Sequence, residues 1–373
     1  MTRAAPLVLI AAGGTGGHLF PAEALANELR RRGVAVELAT DRRASAFVGK
    51  FPAEKVHVLP AETVRGRNPI ALARTVIVMG IGTLGALWLM LRRWPAAVVG
   101  FGGYPTLPPL YAATLFGRPT VIHEANAVMG RANRWLARRV RAVATAHPGM
   151  LAANAELVLK AAHVGNPVRP AVVAAAQKPF AAPAADEPVR IVVFGGSQGA
   201  RVMSEVVPSA LERLPAALRA RVRVVQQCRS EDLDSVAEIY RRLDIPAELG
   251  TFFPDLPSRV AEAHVVIARA GASTVAELAA VGRPAVLVPL PHAIDQDQLA
   301  NASAIAAAGG AILIREQEFN AERLAGELQS LLGDSRQLAL MAAASRRVGR
   351  LDAAERLADL VLRVARIARE DKQ

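Results

Sequence analysis

The chain has 373 residues, room for two or three ordinary domains, and 52% of them are apolar but only 4% aromatic, so its core must be mostly Ala, Val and Leu, as in helices packed on buried strands. One cysteine, Cys228, excludes an internal disulfide, and the short apolar run before Gly13 is too short for a secretory signal, which points to the cytoplasm. The net charge of +12 is one-sided, with 20 Lys and Arg against 8 Asp and Glu in residues 1–165 and 25 against 25 in residues 166–373; without a DNA- or RNA-binding motif this speaks for an anionic membrane face and no nucleic acid.

In chain order, residues 7–12 form a continuous apolar run that ends in Gly13, Gly14, Thr15, Gly16 and Gly17, followed by helical periodicity over residues 20–32. The order is strand, turn, helix. Residues 75–91 carry no charge and are flanked by Arg65, Arg67 and Arg74 before and by Arg92 and Arg93 after. A spanning helix needs about 20 apolar residues, so marginal length and three glycines argue against spanning. A buried domain helix is one alternative; the favoured reading is a helix-loop region dipping into the headgroup layer, with Trp88 and Trp94 as anchors and the arginines on anionic lipid. A second basic run, Arg131, Arg134, Arg138, Arg139 and Arg141, extends this face or is an ordinary solvated helix surface.

Residues 96–100 and 120–123 are further short apolar runs, and residues 163–188 carry five prolines in a weakly patterned stretch. The expected boundary lies at Asn166, giving domains 1–165 and 166–350 and a C-terminal helix in 351–373. The opening order then returns: a run over 189–194, the turn Gly195, Gly196, Ser197, Gln198 and Gly199, and a helical stretch over 200–214. Runs at 222–226, 264–268 and 285–289 follow, mostly with helical segments between them, which implies α/β architecture with parallel sheets covered on both faces. Leu357, Leu360, Val361, Val364 and Ile367 place an amphipathic helix at the end.

A glycine turn between a buried strand and a helix N-terminus offers backbone N–H groups and the positive end of the helix dipole, so diphosphate is its natural guest. Neither turn fits the dinucleotide pattern G-x-G-x-x-G, which weakens a nicotinamide-dependent reading in which Glu37 or Asp41 holds a ribose. A third turn runs from Arg269 to Glu277. Thr274 and Glu277 have the spacing of a capping box. The functional alternative has the N–H groups of Ala272, Ser273 and Thr274 facing a nucleotide donor while Glu277 accepts both hydrogens of a ribose diol. Asp295, Gln296 and Asp297 spell D-x-D at the start of a helical stretch over 295–308; chance explains it, and no metal is expected because arginines and two anion-binding turns replace one.

Six motifs in order carry a resemblance: GGTGGH at 13–18, GGY at 102–104, HEAN at 123–126, GNPVR at 165–169, GGSQGA at 195–200 and the 269–277 stretch. Together they closely resemble the MurG family, bacterial UDP-N-acetylglucosamine:undecaprenyl-pyrophosphoryl-muramyl-pentapeptide N-acetylglucosaminyltransferases. The resemblance implies a GT-B fold of two Rossmann-like domains facing a cleft, nucleotide held by the C-terminal half, and a last helix that crosses back onto the first domain. It implies that Glu277 holds the ribose, the Phe253 backbone reads uracil, Ser197, Gln198 and Arg169 contact the diphosphate side of the donor, and Asn126 contacts the donor sugar. In the first turn Thr15, Gly16 and Gly17 reach the donor, while Gly13 and Gly14, with Tyr104, face the acceptor diphosphate. After His292 the family usually has two glutamines on the donor sugar; here they are Asp297 and Gln298, and only the Gln298 role carries over.

The implied reaction is inverting transfer of N-acetylglucosamine from UDP-GlcNAc to the muramyl 4-hydroxyl of lipid I, giving lipid II in peptidoglycan synthesis, without a cofactor. His18 is the expected base, since a helix N-terminus should keep its imidazole neutral; the alternative is a hydrogen bond to an acceptor phosphate. The same resemblance implies peripheral attachment to the cytoplasmic face of the bacterial inner membrane, with cell-wall synthesis and division proteins as partners. Rival readings are another UDP-sugar enzyme such as a 2-epimerase, which needs no basic apolar face, and a non-catalytic membrane scaffold.

Overall fold

The first strand, β1 (Leu7–Ala11), explains why its sequence is an unbroken apolar run. Val8 and Ile10 point into one core with Leu25 and Leu29, whereas Leu9 and Ala11 point into another with Leu89, Met90 and Leu110. A strand alternates its side chains, so a sheet buried on both faces needs apolar residues at every position. Each fully buried Val or Leu contributes about 1.5–3 kcal/mol. The structure, a computed structural model, describes residues 5–14, 16–44, 49, 51–62, 68–196, 199–291 and 293–367.

Two compact units divide the chain: Met1–Arg169 with Leu351–Gln373, and Pro170–Arg350. Unit 1 holds a seven-stranded parallel sheet of order β3-β2-β1-β4-β5-β6-β7, in which β2 is Ala35–Thr40, β3 Lys55–Val58, β4 Ala97–Gly100, β5 Thr120–Glu124, β6 Ala142–Thr145 and β7 Ala161–His163. Unit 2 repeats the plan in six parallel strands ordered β10-β9-β8-β11-β12-β13, with β8 at Val189–Phe194, β9 at Val222–Gln227, β10 at Ala247–Gly250, β11 at Val265–Ala268, β12 at Ala285–Leu287 and β13 at Ala311–Leu313.

The units divide after Arg169, four residues later than the proline pattern suggests. The loop after β7 is still bound to unit 1: Val164 and Gly165 N–H donate to Thr145 O at 3.0 and 3.2 Å, and His123 Nε2 lies 3.0 Å from Gly165 O. Beyond the division, Arg283 ties the connecting segment to unit 2. Its buried guanidinium donates to the carbonyls of Lys178, Ala261, Val281 and Gly282. Burial, helped by Arg346, pulls Arg283 down to about 10, still protonated at neutral pH. The last helix, Ala353–Ala365, belongs to unit 1, where Leu357, Ala358 and Val361 share the core of Leu25 and Leu29, and Arg32 reaches Asp359 at 2.5 Å.

The uncharged stretch is one helix, Pro69–Arg93, rather than a helix-loop region. Asn68 Oδ1 accepts the Ile70 N–H at 3.0 Å, Pro69 takes the first helical position, and Trp94 ends the helix in a left-handed conformation. Its 25 residues span about 37 Å. It is not a buried domain helix either. Thr75, Gly82, Ala86, Leu89 and Met90 pack inward, and Gly82 is needed because a Cβ there would lie 2.0 Å from Pro60 O. The opposite stripe, Ile70, Ile77, Ile81, Leu84, Trp88 and Leu91, is exposed. One flanking arginine is corrected: Arg93 turns to the buried Glu37 carboxylate rather than outward to lipid. Arg65 and Arg67 lie outside the described residues.

Candidate active site

In an open parallel sheet, ligands bind outside the carboxyl ends of the strands where the chain order reverses. Unit 1 reverses between β1 and β4, and its two motif loops leave those strands: Gly13 to Gly17 after β1, and Gly102 to Tyr104 after β4. The two loops pack closely because glycines face side chains across the contact, Gly13 meeting Pro105 and Gly102 and Gly103 meeting His18. A Cβ on Gly13 would lie 2.8 Å from Asp41 Oδ1 and 2.9 Å from Pro105 Cγ, and Gly14 takes φ 86°. Asp41 Oδ1 accepts the Gly14 N–H at 3.0 Å while its other oxygen accepts from Arg43 Nε at 2.5 Å.

His18 stands in the first turn of the helix Gly16–Arg31, which begins four residues before the helical periodicity becomes visible. Its ring lies against the second loop: a Cβ on Gly102 would be 3.4 Å from Nε2 and one on Gly103 3.4 Å from Cε1. Tyr104 opens a short 3₁₀ turn, Tyr104–Thr106, closed by Thr106 Oγ1 donating to Gly102 O at 2.6 Å. Gly16 seats the Phe20 ring, whose Cε2 would be 3.0 Å from a Cβ there, and Arg169 stacks over that ring at 4.1 Å from its centroid.

Asn126 is held by a buried neighbour. Glu124, 3% exposed at the end of β5, accepts from Asn126 N at 3.0 Å and Nδ2 at 3.2 Å, from Gly130 N at 2.9 Å and from Asn133 Nδ2 at 2.9 Å. Asn133 Nδ2 also donates to His123 O at 3.0 Å, and burial pushes the His123 imidazole below its ordinary pKa. The HEAN motif contains Glu124, but its role, like that of Asn133, comes from a loop that doubles back and has no sequence signal.

Unit 2 reverses between β8 and β11, and again a motif loop leaves each of these strands. Gly195 matches Gly13, since a Cβ would lie 2.3 Å from Ala200 N, and Gly196 matches Gly14 with φ 89°. Thr15, Ser197 and Gln198, all expected at the donor, lie outside the described residues. After β11 the helix Ala272–Val281 starts at an extended Gly271 with no side-chain cap. Thr274 is therefore the third helical residue, and the capping-box reading is wrong by three positions. The N–H groups of Ala272, Ser273 and Thr274 occupy the first turn, where an α-helix presents donors ahead of its first internal bonds. Glu277 lies one turn further, on the Thr274 face.

Arg269 braces this end of the sheet by donating to Val288 O at 3.2 Å and Pro289 O at 3.3 Å and pairing with Glu316. Asn301 Nδ2 donates to Ala270 O at 3.3 Å. The helix of the D-x-D region is Asp297–Ala307, so it starts at Asp297 and not at Asp295. Asp295 and Gln296 have φ 59° and 54°, which puts a kink between the two carboxylates. Gln298 Oε1 accepts the Leu290 N–H at 3.1 Å. Phe253 follows the edge strand β10, its carbonyl accepting from Leu256 N at 3.3 Å and its ring lying 4.6 Å from Arg259.

The nicotinamide reading loses its ribose ligands. Glu37 is fully buried, accepting from Arg93 and 2.8 Å from His57 Nε2, and Asp41 is committed to Gly14 and Arg43.

Residues 8–145 match the glycosyltransferase family 28 N-terminal domain and residues 190–357 its C-terminal domain. A UDP-N-acetylglucosamine–N-acetylmuramyl-(pentapeptide) pyrophosphoryl-undecaprenol N-acetylglucosamine transferase of Rhodopseudomonas palustris is 58% identical over 373 residues, covering 100% of both chains. A protein of the same description from Nitrobacter hamburgensis is 59% identical over 362 residues, 97% of this chain and 98% of its own. A crystal structure of Acinetobacter baumannii MurG superposes with a TM-score of 0.78 at 28% identity, covering 96% of this chain and 99% of that one. With the motif loops at both switch points and full-length identity of this order, the chain belongs to the MurG family of N-acetylglucosamine transferases within glycosyltransferase family 28.

Proposed function

We propose that this chain transfers N-acetylglucosamine from UDP-GlcNAc to the 4-hydroxyl of the muramyl sugar of undecaprenyl-pyrophosphoryl-MurNAc-pentapeptide, lipid I, with inversion, giving lipid II and UDP. One observation carries the reading: each unit has a glycine turn and a second motif loop at its own switch point. Two diphosphate sites suit a reaction in which donor and acceptor each bear a diphosphate.

In unit 2 the first-turn N–H groups of Ala272, Ser273 and Thr274 receive the donor diphosphate, Glu277 takes the ribose diol, and the Phe253 backbone reads the uracil. Gln298 and Asn126 address the donor sugar, the latter held in position by Glu124. In unit 1 Gly13 and Gly14, with Tyr104, receive the acceptor diphosphate. The muramyl oxygen attacks C1 as the C1–O bond to phosphate breaks; the hydroxyl proton passes to the His18 imidazole, and the electron pair leaves on UDP, stabilised by helix N-terminal N–H groups and Arg169.

The exposed stripe on the helix Pro69–Arg93 attaches the enzyme peripherally to the cytoplasmic face of the inner membrane, where lipid I presents its head group. All three tryptophans, Trp88, Trp94 and Trp135, are half-exposed and each lies under an arginine, at 5.2 Å from Arg92, 4.9 Å from Arg118 and 4.0 Å from Arg139. Such pairs suit an anionic interface.

The deciding assay is transfer of labelled N-acetylglucosamine to a lipid-linked muramyl acceptor with UDP-glucose as competitor. The expected result is acceptor-dependent incorporation that excess UDP-glucose suppresses only weakly. Formation of a C2 epimer without acceptor would replace this reading with the epimerase.

A further inference from the structure

Arg169 ends the first segment of unit 1, and its guanidinium carbon lies over the face of the Phe20 ring. Three features of the helix Gly16–Arg31 produce this. The missing side chain of Gly16 lets the Phe20 ring lie against the first turn of the helix, with ring atoms 3.0 and 3.1 Å from where a Cβ would stand. The face of Phe20 then carries the guanidinium, 4.1 Å from the centroid. Glu23 is three residues on from Phe20, hence on the same helix face, and it is half-buried within electrostatic reach of Arg169.

A guanidinium stacked on a ring keeps its N–H donors in the ring-parallel plane, directed outward from the edge, the arrangement that recognises phosphate oxygens in pairs. We propose that Phe20 and Glu23 are positioning residues that hold Arg169 for the donor diphosphate, Phe20 by fixing the plane and Glu23 by fixing the charge. The inference rests on the reading of Arg169 as a diphosphate ligand. Gly16 then acts indirectly, as the seat of the ring. Burial raises the Glu23 carboxyl above its ordinary pKa, and Arg169 opposes that shift by favouring the carboxylate.

The test uses the full-length enzyme and steady-state kinetics with UDP-GlcNAc varied at saturating acceptor. Arg169→Ala is measured first and should raise the donor KM; an unchanged KM overturns the reading of Arg169, and the positioning role with it. Given that rise, Phe20→Leu should raise the donor KM about three- to tenfold with the acceptor KM unchanged, and Phe20→Tyr, which keeps the ring face, should restore it. In the Arg169→Ala background Phe20→Leu should add nothing, as expected of residues that act through one another. Should Phe20→Leu lose its thermal transition, Glu23→Gln serves instead, with an expected rise of about twofold in the parent and none in the Arg169→Ala background. No change in donor KM, or the same rise in both backgrounds, would overturn the positioning role while leaving Arg169 itself in place.

Discussion

His18 and His264 show how a single imidazole is given its role by what surrounds it. His18 lies on the backbone of Gly102 and Gly103 at a helix N-terminus, beside the turn proposed for the acceptor. If it is the base, His18→Ala lowers kcat about 100-fold or more at near-constant acceptor KM; near-normal turnover with a raised acceptor KM would reduce it to a phosphate ligand. His264 instead accepts the Arg190 N–H on Nδ1 at 2.9 Å, a bond that only the neutral ring can make. Burial, with Arg190 adding to it, lowers its pKa to about 4. The unfolded chain therefore takes up the proton first, so this stabilisation is complete above about pH 6.5 and is lost as pH falls toward 4, by about 2–4 kcal/mol. Urea unfolding between pH 7 and 4 should show that loss in the parent and a flatter profile in His264→Gln; parallel profiles would remove His264 as the cause. The helix N-terminus at His18 is written in the glycine turn beside it, but its packing on Gly102 and Gly103 and the bond of His264 to Arg190 are not written in neighbouring residues. By contrast, the glycines at 13, 14, 195 and 196 were legible, because a strand running into a helix N-terminus through a tight turn needs residues without Cβ whatever the rest of the fold does.

At the scale of elements, the helix Pro69–Arg93 was the hardest to read. Its buried positions 75, 82, 86 and 89 and its exposed positions 77, 81, 84 and 88 follow the same helical spacing, and nearly all are apolar. Periodicity finds a core face by contrast with a polar one, and here there is no contrast. Packing on unit 1 chooses the inward side, leaving Leu84 68% and Trp88 59% exposed. The double variant Leu84→Glu/Trp88→Glu should lower flotation with anionic vesicles at least about tenfold while changing stability by no more than about 0.5 kcal/mol. Equal binding of the parent to neutral and anionic vesicles would count against the arginine contribution. The helix Ala272–Val281 gives the opposite lesson. Thr274 and Glu277 form a plausible capping signal, yet strand β11 ends at Ala268 and the chain turns early enough for Gly271 to start the helix. A local pattern of four residues cannot register where a strand stops.

Over the whole molecule, one plan is used twice. Each unit is a parallel sheet whose strand order reverses beside a glycine turn, and each reversal brings a second loop to the same end: Gly102 to Tyr104 in unit 1 and Arg269 to Glu277 in unit 2. The proposed chemistry relies on N–H groups and arginines for the departing diphosphate, and the D-x-D carboxylates are separated by a kink at Asp295 and Gln296. Activity should therefore persist in EDTA; loss of turnover restored by Mg²⁺ would overturn metal independence. The sequence by itself determined the α/β class, the repeated strand-turn-helix opening and the identity of the glycine turns, because these depend on local burial pattern and backbone sterics. Only the tertiary structure decided that Asp41 braces Gly14 and that Glu124 gathers Asn126, Gly130 and Asn133; the docking of the last helix on the core of Leu25 and Leu29 was implied by the family resemblance but not by its periodicity. Those partners are separated along the chain or reached by a loop folding back, and their pairing is set by strand order and the length of each crossover, which no local pattern of residues encodes.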